Sequence, residues 1–183
     1  MFDVLDFGAK GDGMTDDTKA FEAAWAAACK VEASTVIVPA EFEFLVRPIS
    51  FSGPYCEPNI VFQVLNNKKV TSKPSRSSLQ WLEFTKLQEI TIRGSGVIDG
   101  RGSVWWTNSD SDIDPVISSS SSCHFPLSYN VTVTGIRIQN SPRCHLKFDN
   151  CEAVEVFNIT VSSPGDSPNT DGIHLQNSRN VLI

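Results

Sequence analysis

The sequence predicts an all-β chain wound as a parallel β-helix, capped near its start by one short α-helix. Three observations carry that prediction. Apolar residues come in alternating pairs: Val131/Val133, Ile136/Ile138, Leu146/Phe148, Val154/Val156, Ile159/Val161, Ile173/Leu175 and Val181/Ile183. The pairs recur at fixed steps: one step takes Val131 to Val154 and Ile136 to Ile159, and a second, four positions longer, takes Leu146 to Ile173 and Val154 to Val181. Asn150 and Asn177 are separated by that same longer step, each after the third strand of its repeat. A period of two within a longer period means short strands stacked coil on coil, each burying its inward side chains against the next. A β-sandwich also uses many short strands, but a register held over successive pairs favours the solenoid.

Taken in order, Phe2 to Gly13 alternates apolar residues and breaks at Gly8, Gly11 and Gly13, as a short strand and tight turn do. Asp16 and Asp17 precede Ala20, Phe21, Ala24, Trp25 and Ala28, which fall on one helical face. The two carboxylates are read as a helix N-terminal cap rather than a catalytic pair. Strand-like runs follow at Thr35–Val38, Phe42–Val46, Ile60–Leu65 and Ile90–Ile92. Residues 107–122, with Asp110, Asp112, Asp114 and a run of serines, read as a solvated loop; the glycine and closing Glu of a calcium-binding EF-hand loop are missing. The stacked asparagines are expected to take left-handed backbone and to hydrogen-bond one another.

A chain of 183 residues suits a single domain, residues 1–183, and buries enough surface to need neither metal nor disulfide for a core. Its formal charge of −6 argues against a nucleic-acid partner and means that an acidic polymer would need a local basic patch to bind. No apolar run reaches the ~20 residues of a membrane span. The five cysteines form no C-x-x-C pair and have no His at zinc spacing, so no metal site is expected. Asn130-Val-Thr132 and Asn158-Ile-Thr160 are N-glycosylation sequons, which suit a secreted protein, whereas the first residues show no signal peptide.

The repeat marks its own irregularity. The interval from Val161 to Ile173 is longer than that from Ile138 to Leu146, so four extra positions lie in Ser162–Thr170. Longer loops on regular scaffolds are where function tends to sit. This one delivers Asn169, Thr170 and Asp171 to the mouth of a strand that turns Gly172 and His174 outward, with Lys147 one coil away.

On these residues the chain resembles the polygalacturonases, glycoside hydrolases that cut pectin. Ser167-Pro-Asn-Thr-Asp-Gly-Ile-His174 looks like their first active-site motif. Phe7-Gly-Ala-Lys-Gly-Asp-Gly13, Gly96-Val-Ile-Asp-Gly-Arg-Gly102, Trp105-Trp106 and Ile138-Gln-Asn-Ser-Pro142 agree with it, closest to plant and exo-acting members. The resemblance implies a right-handed helix and inverting hydrolysis of α-1,4 bonds between galacturonic acid units, which needs an acid and a water-activating carboxylate ~6.5–9.5 Å apart. It makes Asp171 one of the water-activating carboxylates and puts Asn169 and His174 against substrate. It implies no metal or cofactor, an extracellular, cell-wall setting, a monomeric full-length form and a Cys29–Cys56 disulfide; Cys144 and Cys151 read as buried thiols.

The family's Asp-Asp pair, Gly-His-Gly histidine and Arg-x-Lys pair have no counterpart here, Asp16-Asp17 being assigned to the helix cap. One repeat beyond Asp171 falls past Ile183, so the chain reads as an incomplete helix, truncated at its C-terminal end and inactive alone. Family members usually have an apolar strand just before the Asn-Val-Thr-Val segment. Here the stretch from Ile90 to Val131 is long enough for nearly two coils, and Pro126 interrupts the place of that strand, which leaves the packing of one coil open. Rival readings are a calcium-dependent pectate lyase, whose acidic ligand cluster the repeat does not display, a non-catalytic β-helix that binds pectin or a partner, and a nonfunctional gene product.

Overall fold

Period-two alternation with a coil-length repeat leaves the chain one economical way to bury its apolar rows: each strand pairs with the equivalent strand of the coil before it. The computed structural model, which describes residues 1–65, 69–72, 80–103, 121–167 and 170–183, has that form. The first coil holds β1 (Phe2–Asp3), a 3-10 turn (Val4–Phe7), β2 (Asp12–Asp16) and α1 (Thr18–Ala28). Then come β3 (Thr35–Val38), β4 (Glu43–Val46) and β5 (Ile49–Ser52), followed by β6 (Val61–Val64), β7 (Lys69–Ser72) and β8 (Gln80–Thr85). The next coil is β9 (Gln88–Gly94), β10 (Val97–Asp99) and β11 (Ser121–Pro126), and the one after it β12 (Tyr129–Thr134), β13 (Arg137–Gln139) and β14 (Cys144–Asp149). Finally come β15 (Glu152–Phe157), β16 (Thr160–Ser162), β17 (Asp171–Gln176) and β18 (Arg179–Leu182).

The strands deal out to three sheets in rotation: β1-β3-β6-β9-β12-β15-β18, β2-β4-β7-β10-β13-β16 and β5-β8-β11-β14-β17, with parallel pairing in each. Parallel crossovers of this kind are right-handed, and the chain is a right-handed parallel β-helix. The predicted steps are those of the backbone, since Val131 pairs with Val154, Val154 with Val181, Ile138 with Val161 and Leu146 with Ile173.

The core is a set of ladders along the helix axis. In the third sheet Phe51, Phe84, Phe125 and Phe148 stack with centroids 4.9, 5.3 and 5.0 Å apart, and all four are fully buried. That spacing is set by the ~4.8 Å between hydrogen-bonded strands. Helix α1 covers the near end of the core, with Phe21 5.6 Å from Phe44 and Trp25 5.0 Å from Phe51. Cys29, just after α1, is disulfide-bonded to Cys56 in the loop after β5.

Glycine is required where coils touch. A Cβ on Gly94, at φ 131°, would lie 1.9 Å from the Val64 carbonyl oxygen, and one on Gly135 would lie 2.3 Å from that of Gly94. The turns from the third sheet to the first use left-handed backbone at Lys86, Leu127, Asn150 and Asn177, with φ between 47° and 55°.

Several expectations are corrected. The stretch from Ile90 to Val131 makes one coil, because those two residues pair directly. Its third-sheet strand is present as β11, whose Cys123 and Phe125 enter the core between β8 and β14. Pro126 ends that strand, where a missing N–H costs little, and its carbonyl accepts the Lys86 N–H at 3.0 Å. Ser121 and Ser122, placed by the sequence in a solvated loop, belong to β11 and are buried; residues 107–120 of that segment lie outside the described residues. Asp17 does not cap α1 through its side chain: the buried carboxylate accepts the Lys10 and Gly11 N–H groups at 2.7 and 3.2 Å and so ties down the preceding glycine turn. Asp16 instead accepts the Thr18 N–H and hydroxyl at 3.2 and 2.6 Å. Asn150 donates to Asp149 Oδ1 at 2.7 Å, and its turn is tied to the next by its backbone N–H, which donates to the Gln176 carbonyl at 2.9 Å.

Candidate active site

Alternation decides what the third sheet shows to its surroundings. With Leu82, Cys123, Leu146 and Ile173 in one inward row and the phenylalanine ladder in another, the row between them faces out. Register fills it with Ser50, Glu83, His124, Lys147 and His174 on five adjacent strands. His174 is exposed, Lys147 and Glu83 are half-buried, and His124 is buried. His124 Nδ1 lies 3.5 Å from Glu83 Oε1. That contact holds the Glu83 carboxyl below its ordinary value, with help from a Ser50 hydrogen bond and against the opposing effect of burial.

Asp171 opens β17 beside this row and is exposed. Its N–H donates to the Arg143 carbonyl at 2.7 Å, which starts the pairing of β17 with β14. The loop before it turns on itself, with the Ser167 N–H donating to the Pro164 carbonyl at 3.0 Å and the Ser167 and Thr170 hydroxyls 2.6 Å apart. The structure thus puts His174 and Lys147 opposite each other on β17 and β14, with Asp171 at the start of β17 opposite Cys144. Asn169, the other residue assigned to the site, lies outside the described residues. Opposite Asp171 in register is Cys144, whose thiol is pushed up to about 11 by burial and then by the Asp171 charge. That thiol is therefore protonated at neutral pH and offers no nucleophile.

Sequence reasoning missed two histidines. His145 is buried at 3% exposure and His124 at 7%. His145 faces the ends of the loop before Asp171, with Nδ1 2.7 Å from the Asp171 carbonyl oxygen and Nε2 3.1 Å from that of Ser162. The available signal was the Cys144–Phe148 alternation, which gives His145 the same outward parity as Lys147 just where the next coil lengthens. Elsewhere, Asn130 and Asn158, the sequon asparagines, are both exposed on left-handed backbone at φ 52°. Among the described residues, no helix is long and apolar enough to cross a membrane.

Residues 29–183 match the family described as glycosyl hydrolases family 28. Over its whole length the chain is 37% identical to a polygalacturonase of Cryptomeria japonica, covering 37% of that protein. Over 98% of its length it is 39% identical to a polygalacturonase of Malus domestica, covering 40% of it. The chain therefore spans well under half of these relatives. The family 28 exopolygalacturonase of Yersinia enterocolitica superposes with a TM-score of 0.79 at 18% identity, over 98% of this chain and 42% of that one, a likeness of fold.

Proposed function

The chain belongs to glycosyl hydrolases family 28, and from that premise we propose that it carries one side of a site for inverting hydrolysis of the α-1,4-galacturonosyl bonds of pectin. In this reading Asp171 is a water-activating carboxylate, while His174 and Asn169 contact the sugar. The observation that carries it is the lengthened loop, which ends at Asp171 on the exposed start of β17, the strand that further along carries the exposed His174 paired with Lys147. A base must be exposed to water and substrate, and a carboxylate beside cationic or neutral hydrogen-bonding groups can be both ionised and placed against an anionic sugar. Lys147 supplies the local positive charge that a chain of −6 needs to approach a polyuronate.

Inversion also needs an acid ~6.5–9.5 Å from the base. The carboxylate of the outward row, Glu83, is three strands from β17, which carries Asp171, roughly 14 Å or more at ordinary strand spacing. It is also held ionised, the wrong state for an acid. We therefore expect these 183 residues by themselves to bind oligogalacturonate and to hydrolyse it little or not at all. The exposed sequons Asn130 and Asn158 and the Cys29–Cys56 disulfide suit an extracellular, cell-wall setting.

The test pairs a reducing-sugar assay on polygalacturonate with calorimetric titration of trigalacturonate, on the unaltered chain and on Asp171→Asn and His174→Ala. Weak binding lost in His174→Ala, without reducing-sugar release, is the expected result. Release that disappears in Asp171→Asn would show that a complete acid–base pair is present, and no binding at all would remove the pectin reading.

A further inference from the structure

The loop that delivers Asp171 is held from the coil before it. Ser162 is the last residue of β16, in the second sheet, and Asp171 the first of β17, in the third. The ring of His145, on β14, lies between them. Nδ1 is 2.7 Å from the Asp171 carbonyl oxygen; Nε2 is 3.1 Å from the Ser162 carbonyl oxygen and 3.2 Å from Ser163 Oγ. A carbonyl oxygen only accepts, and Nε2 has a hydroxyl beside it to accept from while Nδ1 has none, so the hydrogen is assigned to Nδ1, at the shorter contact. Nε2 then either accepts from the Ser163 hydroxyl in the neutral ring or donates to Ser162 in the charged one, and the bond to Asp171 survives in both. The ring is buried, so water does not replace these bonds cheaply.

From this geometry we infer that His145 is the positioning residue for Asp171: it clamps the two ends of the lengthened loop together. The backbone partners of those ends reach them singly, Ser162 through the Asn140 N–H at 2.9 Å and Asp171 through its own N–H to Arg143 at 2.7 Å. Neither bond ties one end to the other. The imidazole does, and so removes freedom that a connection rich in Ser, Pro and Gly would otherwise keep. The role for Asp171 rests on the hydrolase reading above, and an error of about 1 Å in such a group is costly to catalysis. The clamp itself does not depend on that reading.

Hydrogen–deuterium exchange on the unaltered chain and on His145→Phe, His145→Asn and His145→Gln tests it without sugar. The Asn amide nitrogen stands where Nδ1 stands and the Gln amide nitrogen near Nε2. Phe should speed exchange of the amides from 163 to 171 by about 10-fold, the worth of one or two buried hydrogen bonds, while β9 and β12 keep their protection. Asn should restore slow exchange at Asp171, and Gln only at the Ser162 end. Unchanged exchange in the Phe variant, a uniform loss over all coils, or an Asn variant as loose as Phe would each overturn the clamp. Failure of the unaltered chain to bind trigalacturonate would remove the hydrolase reading and leave these rates, and what they say of His145, as measured.

Discussion

Truncating Phe125 to Ala probes whether β11 is a rung of the solenoid. The ring is fully buried and stacked between Phe84 at 5.3 Å and Phe148 at 5.0 Å, with interplanar angles of 15° and 17°. Removing a buried Phe side chain costs about 3–5 kcal/mol in transfer and cavity terms. Two stacked pairs, at about 0.5–1.5 kcal/mol each beyond burial, place this site in the upper part of that range. The cavity cannot collapse easily, because its walls are two strands fixed by ladder hydrogen bonds on either side. Against a total stability of about 5–15 kcal/mol, urea unfolding followed by far-UV circular dichroism should show the loss plainly. Phe125→Leu keeps most of the volume and should cost about 1–1.5 kcal/mol. Tyr129→Ala, just past Pro126 and 48% exposed, should change stability by about 0.5 kcal/mol or less. A loss under about 1 kcal/mol for Phe125→Ala, close to the Tyr129 control, would refute the packing of β11 and with it the single coil from Ile90 to Val131.

Two further predictions concern the same scaffold. Burial raises the Cys123, Cys144 and Cys151 thiols above their ordinary 9.0, Cys144 to about 11, so above pH 9 the folded chain holds protons that the unfolded chain releases. Stability should be complete below about pH 9 and fall as pH rises toward 11, by up to about 1.4 kcal/mol per pH unit per thiol. Thermal unfolding between pH 8 and 10.5 checks this; Cys123→Ala should flatten the slope, and a flat profile in the unaltered chain would count against buried thiols. Leu127 holds φ 53° at a turn whose later equivalents are Asn150 and Asn177, and its side chain is 46% exposed. Leu127→Asn should therefore raise stability by about 0.5–1 kcal/mol, measured as a shifted urea midpoint, and a loss would mean that the Leu side chain contributes more than the strained backbone costs.

Legibility followed the regularity of the steps. From Val131 onward the coils advance by one of two steps and the paired inward positions are Val, Ile, Leu or Phe, so register could be read without coordinates. Before that the connections vary, and β5, β7 and β10 are short strands that a hydrophobic count does not separate from turns. β11 was hidden for a more specific reason. Ser121 and Ser122 look like the end of a serine-rich loop, yet both are buried, with the Ser121 hydroxyl donating to Gln80 Oε1. A polar residue satisfied by its neighbour one coil away carries no hydrophobic signal. Asp17 misled in the opposite sense: its place before a helix suggested a cap, but burial turned the carboxylate back to the Lys10 and Gly11 amides.

The candidate site was half legible, and the division follows from how a solenoid builds surfaces. Asp171 and His174 could be found because a four-position excess between two strands of known register singles out whatever follows it. The side chain that holds the loop shows only its outward parity, because it lies a full turn of the chain earlier and meets Asp171 only once that turn is complete. His145 reaches Asp171 across a sequence separation of 26 and Ser162 across one of 17, and nothing local to it differs from an ordinary outward strand position. In a β-helix the side chains of one coil become the floor and walls of the next. The two ends of a lengthened loop can then be tied together by an unusual residue in the neighbouring coil, at the register position beside them. That requirement picks out a buried side chain with two polar ring atoms, such as His145, and it explains why a histidine with no place in the apolar pattern sits at the start of β14.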